Sequence, residues 1–249
     1  MSKLLIDKNY TIPSHIIEYS FYKENILTES FIEKYSNKLD WHLISKYQQL
    51  TESFIEKHLN KIDLRYVSIY QQLSESFIEK HLDKFHWGYV SKYQQLSEEF
   101  IIRHSNIVYW DCVSKYQKLS ELFIETYLNK LDLRYISIYQ QLSESFIEKY
   151  SDKVNWVYVS EYQELSEEFI EKHSNEVNWD YISRYQKLSE KFIEKYSNKV
   201  NWNYISKYQK LSEAFIMNNL NKLNINVILN RNLILKSSPN YKLLILSKI

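Results

Sequence analysis

From Leu27 onward the apolar and polar positions form one pattern repeated along the chain. Leucines at 27, 50, 73, 96, 119, 142, 165, 188 and 211 each open a 23-residue unit, and no insertion or deletion disturbs the spacing. Counting that leucine as position 1, Phe stands at position 5 and Ile at position 6 in all nine copies, from Phe31-Ile32 to Phe215-Ile216. His or Tyr follows at 9 and an apolar residue at 13. Trp or Leu at 15, Ile or Val at 18 and Tyr at 21 then recur three apart, the spacing of one helix face. Two helices per unit are therefore predicted. Helix A follows the Ser or Thr of position 2; helix B follows position 14, which is Asp or Asn in most copies (Asp40, Asp63, Asp132, Asn155, Asn178, Asn201). Both residue types offer a side-chain oxygen to the free amides of a first turn. Glu at position 3 of every copy puts negative charge at the positive end of helix A.

Helices of roughly eight residues do not hold together alone in water. A fixed short period implies that each unit is stable only when its neighbours cover its apolar flank. The expected fold is all-α, a right- or left-handed α-solenoid of short helix pairs. Residues 1-26 are expected to be a degenerate capping repeat, 27-210 eight tandem repeats, and 211-249 a degenerate ninth repeat with a C-terminal cap. In the opening segment Ser20-Phe21-Tyr22-Lys23 echoes the later Ser-x-Tyr-Gln, offset by two extra residues before Leu27. In the closing segment Met217-Asn218-Asn219 and Ile225 replace the usual residues. Two apolar runs around Pro239, Leu233-Ile234-Leu235 and Leu243-Leu244-Ile245-Leu246, fit a helical cap or a small hairpin, and the cap is the expectation.

Composition changes this picture little. Gly88, Pro13 and Pro239 are the only residues of their kinds, so flexible linkers are excluded. A net charge of +1 hides a slightly acidic array and a basic end (Lys222, Arg231, Lys236, Lys242 and Lys248 against Glu213), where a nucleic-acid binder would present a basic face. The lone Cys112 permits no intrachain disulfide and fits a reducing, intracellular compartment. No apolar run suits a signal peptide or a membrane span.

The wording Leu-Ser-Glu-x-Phe-Ile-Glu-Lys-Tyr-Ser-Asn-Lys-Val-Asn-Trp-x-Tyr-Ile-Ser-x-Tyr-Gln-Lys, as in Leu188 to Lys210, resembles a repeat that recurs in uncharacterised proteins of giant DNA viruses of protists. The resemblance covers residues 27 to about 224. It implies a viral protein working in the host cytoplasm, and it carries no activity with it. At the level of fold the period also resembles that of leucine-rich-variant solenoids.

No reaction is written in the chain, and no enzyme, cofactor or metal is expected. His58, His81, His104 and His173 share position 9 and so suggest a metal or proton ladder, but Tyr35, Tyr127, Tyr150 and Tyr196 take the same place in other copies. Tyrosine does not substitute for histidine in ordinary zinc sites, so these residues read as an amphipathic rim to the core. Cys112 stands at position 17 with nothing to mark it as a nucleophile. Ser at 19 and Gln at 22 recur in all eight full copies. A free surface would drift, so these side chains are predicted to satisfy backbone groups at the tight turn between units.

Two positions vary while their surroundings stay fixed. Position 16 reads His42, Arg65, Gly88, Asp111, Arg134, Val157, Asp180 and Asn203; position 20 reads Lys46, Ile69, Lys92, Lys115, Ile138, Glu161, Arg184 and Lys207. Four apart, they share a helix face and form a candidate contact stripe. The competing reading is a solvated face with exposed pairs such as Asp111 with Lys115 or Asp180 with Arg184, worth about 0.3–0.5 kcal/mol each. Repeat four departs most: Ile102 stands in place of Glu, Ile107 in place of Lys and Tyr109 in place of the helix-B cap, a candidate hydrophobic patch against which stands ordinary decay of one copy. The function expected is a monomeric, non-catalytic scaffold for another protein, which the viral resemblance implies to be one of the host. The alternative is nucleic-acid binding through the helix-B Lys and Tyr positions and the basic end, which the near-neutral array disfavours.

Overall fold

The structure, a computed structural model, describes residues 3–12 and 18–230, the side chains as far as Ile228. Among them are nineteen helices and two three-residue strands, and successive helix pairs keep the 23-residue period, an all-α solenoid. The apolar runs expected to form a C-terminal cap lie outside the described residues. The chain divides into two compact units, Met1–Leu131 and Asp132–Ile249.

Each helix is shorter than its pattern suggested. Helix A has six residues, as in Glu29–Lys34 and Glu52–Lys57, and helix B seven, as in Trp41–Tyr47 and Trp87–Tyr93. Local chemistry sets these ends. In repeat one Thr28 Oγ accepts the Phe31 amide at 3.2 Å and opens helix A. The carbonyl of Tyr35, just past its end, accepts the amides of Lys38 and Leu39 at 2.8 and 3.1 Å. That tight turn delivers the chain to Asp40, whose carboxylate accepts the His42 amide at 2.9 Å and starts helix B. Repeats three and four lack this second cap: His86 and Tyr109 form no side-chain cap bond.

The core is the same in both units. Ile at position 6 and Val or Ile at position 18 are fully buried in repeats one to eight, and every Phe of position 5 is at most 7% exposed. Burying such side chains contributes about 1.5–3 kcal/mol apiece, most of it available only once a neighbouring repeat covers them. Tryptophans of helix B stack on the Phe of the following repeat: Trp87 on Phe100 and Trp110 on Phe123 in the first unit, Trp156 on Phe169 and Trp179 on Phe192 in the second, with centroids 6.2–6.3 Å apart.

The opening segment folds as a short parallel sheet and a helix. Leu4–Ile6 (β1) pairs with Asn25–Leu27 (β2), and Tyr19–Glu24 (α1) lies between them in the chain. The register runs back from Leu27 unbroken. The buried Tyr22 hydroxyl accepts the Asp40 amide at 2.8 Å, the task of the position-19 serines elsewhere, and Gln48 donates to the carbonyls of Tyr22 and Asn25. Tyr22 thus stands at position 19 and Asn25 at position 22. The two-residue offset expected from Ser20-Phe21-Tyr22-Lys23 is corrected: a spatial role, not the wording, carries the period.

Candidate interaction surface

Polar side chains run through each unit in columns, and most are consumed internally. The position-22 glutamines are buried, and most bind three backbone groups across two repeats. Gln94 donates from Nε2 to the carbonyls of Ser68 and Gln71 at 2.7 and 2.9 Å and accepts the Leu73 amide on Oε1 at 3.0 Å. Gln186 and Gln209 repeat the arrangement in the second unit. Serines of position 19 have no exposure. Ser183 Oγ donates to the Trp179 carbonyl at 2.6 Å and accepts the Asn201 amide at 2.9 Å. The prediction for Ser 19 and Gln 22 is thus met. It also explains why no described residue has positive φ: glutamine side chains close helix-B ends that a left-handed glycine commonly closes.

Glutamates of position 3 do more than sit at a helix dipole. Glu29 accepts the Thr51 amide at 2.7 Å, and Glu52 and Glu75 accept the Ser74 and Ser97 amides at 2.5 Å, so each caps the helix A of the next repeat. Position 7 pairs with position 8 one repeat on: Glu33 with Lys57 at 2.5 Å, Glu56 with Lys80, Glu79 with Arg103 at 2.8 Å, Glu148 with Lys172 at 3.0 Å and Glu171 with Lys195. The Lys57 and Lys80 ammonium groups hold Glu33 and Glu56 below the ordinary carboxylate range, and for Glu148 the first cause is His173.

The histidine column lies at the rim of the core. His58, His104 and His173 tilt against the Phe of their own helix and the Trp of the preceding repeat. His173 Nε2 reaches Glu148 at 2.7 Å, whereas His58 and His81 stop at 3.6 and 3.7 Å from Glu33 and Glu56. Among the described residues no three His, Cys, Asp or Glu gather as a metal site. Cys112 is half-buried, and burial pushes its thiol up, away from the thiolate a nucleophile needs.

The variable stripe separates into two kinds of position. Position 16 is exposed but partly bonded within the array: His42 to Asp63 at 2.8 Å, Arg65 and Arg134 to their own caps Asp63 and Asp132 at 2.8 and 2.6 Å, Asp180 to Asn201 at 2.7 Å and Asn203 to Asn224 at 3.2 Å. Val157 and Asp111 are exposed. A Cβ on Gly88 would meet the His86 ring at 3.0 Å, so the glycine leaves room for His86 to stack on Tyr109, 6.2 Å away. At position 20 the cations turn onto tyrosine rings. Lys46 lies over Tyr47 and Tyr66, Lys92 over Tyr93 at 4.7 Å and Tyr116 at 5.3 Å, Lys115 over Tyr116, Lys207 over Tyr208, and Arg184 over Tyr185, Tyr204 and Tyr208. Ile69, Ile138 and Glu161 occupy the same place half-buried.

Sequence reasoning named helix-B tyrosines only for the nucleic-acid alternative and did not place them as the exposed row that these cations decorate. Tyr70, Tyr93 and Tyr116 in the first unit are 43–52% exposed, as are Tyr139, Tyr162, Tyr185 and Tyr208 at 38–50% in the second. In the sequence, position 21 shares the helical spacing of positions 15 and 18; its invariance next to a variable neighbour is the signal that sets it apart. The second unit also holds an open depression of about 370 Å³ between successive links, lined by Glu164, Leu165, Ser166, Tyr185, Gln186 and Lys187.

The three departures of repeat four part company. Ile102 is exposed where the other repeats place the Glu of the ion ladder, and its counterpart at position 8 of the next repeat is Thr126 instead of a base. Leu122, 75% exposed, sits one helical turn before Thr126, whose hydroxyl donates to the Leu122 carbonyl. Ile107 is half-buried, and Tyr109 faces His86 at the start of helix B. Comparison of the chain with protein-family models, curated proteins and solved structures gives no match. No helix among the described residues is long and apolar enough to cross a membrane.

Proposed function

We propose that this chain is a non-catalytic scaffold that binds another protein through the helix-B side of its repeats. The observation that carries the reading is the exposed tyrosine row flanked by position-20 cations. Aromatic rings with a polar tip supply contact area at low entropic cost and are enriched at protein interfaces, as is arginine. A solenoid repeats such a feature at fixed spacing, which suits an extended partner. The exposed Ile102 and Leu122 add a second, apolar contact on the helix-A side of the first unit. Base stacking in the nucleic-acid reading needs open ring faces, and here cations already lie over several of them.

The test is affinity capture with the intact chain beside two double variants, Tyr93→Ser with Tyr116→Ser and Ile102→Glu with Ile107→Lys. A protein recovered by the parent and lost with the tyrosine pair supports the proposal. Recovery unchanged by both pairs removes both surfaces from it.

A further inference from the structure

We propose that the helix-B face of the first unit seats an acidic, extended peptide segment; this rests on the scaffold reading and names the chemistry of its partner. Residues 43–51, 66–74, 89–97 and 112–120 span most of helix B and the following link in repeats one to four, and none of them is Asp or Glu. Lys46, Lys92, Lys115 and Lys118 are the only charges in those segments. The equivalent stretches of the second unit are mixed, with Glu161 and Glu164 among their lysines and Arg184.

Seven helix-A glutamates of the first unit have internal tasks. Glu29, Glu52, Glu75 and Glu98 accept amides of the next repeat, and Glu33, Glu56 and Glu79 face Lys57, Lys80 and Arg103. The acids at the start of helix B in this unit are the caps Asp40 and Asp63, the latter closed off by Arg65 and His42, and Asp111. Lys46 and Lys92 lie on tyrosine rings, and their positive charge is left for an incoming anion.

The geometry favours carboxylates over a nucleic acid. Lys92 and Lys115 both lie over the Tyr116 ring, so a base that stacked there would have to displace a cation. A carboxylate needs only donors, which an ammonium and the phenol hydroxyl beside it supply together. Helices packed ~8–10 Å apart and an extended chain rising ~3.3 Å per residue match an acid at about every third residue, the one opposite Ile69 of repeat two being left without a cation.

The probe is therefore a fluorescein-labelled peptide of four Glu-Gly-Ser triplets, titrated with the intact protein at low salt and followed by anisotropy. The same peptide with Lys for Glu and a labelled oligothymidylate serve as comparisons. We expect saturable binding of the acidic peptide alone, weakened about tenfold when ionic strength rises from roughly 50 to 300 mM. Lys92→Glu with Lys115→Glu should weaken it at least about tenfold while the far-ultraviolet melting curve stays in place, and Lys191→Glu on helix A should change nothing. Absent binding at low salt, equal binding by the double variant, or tighter binding of the oligothymidylate each overturns the proposal. A captured partner lost with Tyr93→Ser and Tyr116→Ser but kept after charge reversal leaves the scaffold reading standing and removes the acidic peptide.

Discussion

Replacing Gln94 by alanine tests the central structural argument, that a side chain rather than a turn residue joins successive repeats. Gln94 is 4% exposed, and its loss strips the Leu73 amide of its acceptor and the Ser68 and Gln71 carbonyls of a donor, groups held at 3.0, 2.7 and 2.9 Å. The Ser68 carbonyl lies in the last turn of helix B, where no intrahelical amide reaches it. A typical hydrogen bond contributes about 1 kcal/mol net, and a buried group left unsatisfied costs about 1–3 kcal/mol. The variant should lose about 3 kcal/mol in urea unfolding followed by tryptophan fluorescence, and the Leu73 amide should lose much of its hydrogen-exchange protection. Gln72→Ala, at the exposed next-but-one link position, should stay within about 0.5 kcal/mol of the parent. Gln94→Glu adds a sign. At neutral pH its carboxylate faces two carbonyls, and only the protonated acid can donate to one. The folded-state pKa of that group is thus raised above its unfolded value, so its stability is restored as pH falls and lost as pH rises through the folded value. A Gln94→Ala loss no larger than that of Gln72→Ala, or an unchanged Leu73 exchange rate, would refute the joint.

Three further outcomes follow from the same geometry. Trp110→Ala removes the stack on Phe123 and the indole bond to the Ser105 carbonyl at 3.0 Å, and should cost about 3–5 kcal/mol in thermal or urea unfolding. Trp110→Leu should cost much less, because Leu64 and Leu133 already fill that position in other repeats. Ser183→Ala leaves the Asn201 amide without its acceptor and should cost about 1–3 kcal/mol by the same measurement. The exposed carboxylates Glu33, Glu56 and Glu171 have pKa values lowered by Lys57, Lys80 and Lys195; their contribution is present at neutral pH and lost as pH falls through those lowered values. Glu56→Gln should accordingly flatten the acid limb of a stability-against-pH curve, and molar salt should shrink the difference between variant and parent.

How far the sequence can be read depends on whether a side chain's task lies inside its own repeat. Capping by Thr28 or Asp40 and burial of Phe31-Ile32 follow from residue type and spacing alone, so both helices and their order were legible. Tasks that cross repeats were legible only as invariance. Gln at 22 was assigned correctly in kind, but nothing in the string says that Gln94 binds three backbone groups of two successive repeats, or that Glu29 caps the helix of the following unit. Tyr22 shows the limit most sharply. Its hydroxyl fills a serine's place from a different side-chain length, so letter matching put the opening segment two residues out of register.

The same distinction separates structure from recognition in this chain. An invariant polar residue is spent when its partners lie within the array, as for Ser183, Gln94 and Glu52. Position 21 is invariant too, yet Tyr70, Tyr93 and Tyr116 stay about half exposed, with cations or other tyrosines against their rings. Folding alone does not ask for a half-exposed phenol at every repeat, because Leu or Lys would cover the same helix stem. The proposed contact with another protein would use it. Tyr93→Leu therefore discriminates: it should leave the urea midpoint within about 0.5 kcal/mol of the parent while weakening capture of the partner, whereas an equal loss of stability and binding would return the row to the core.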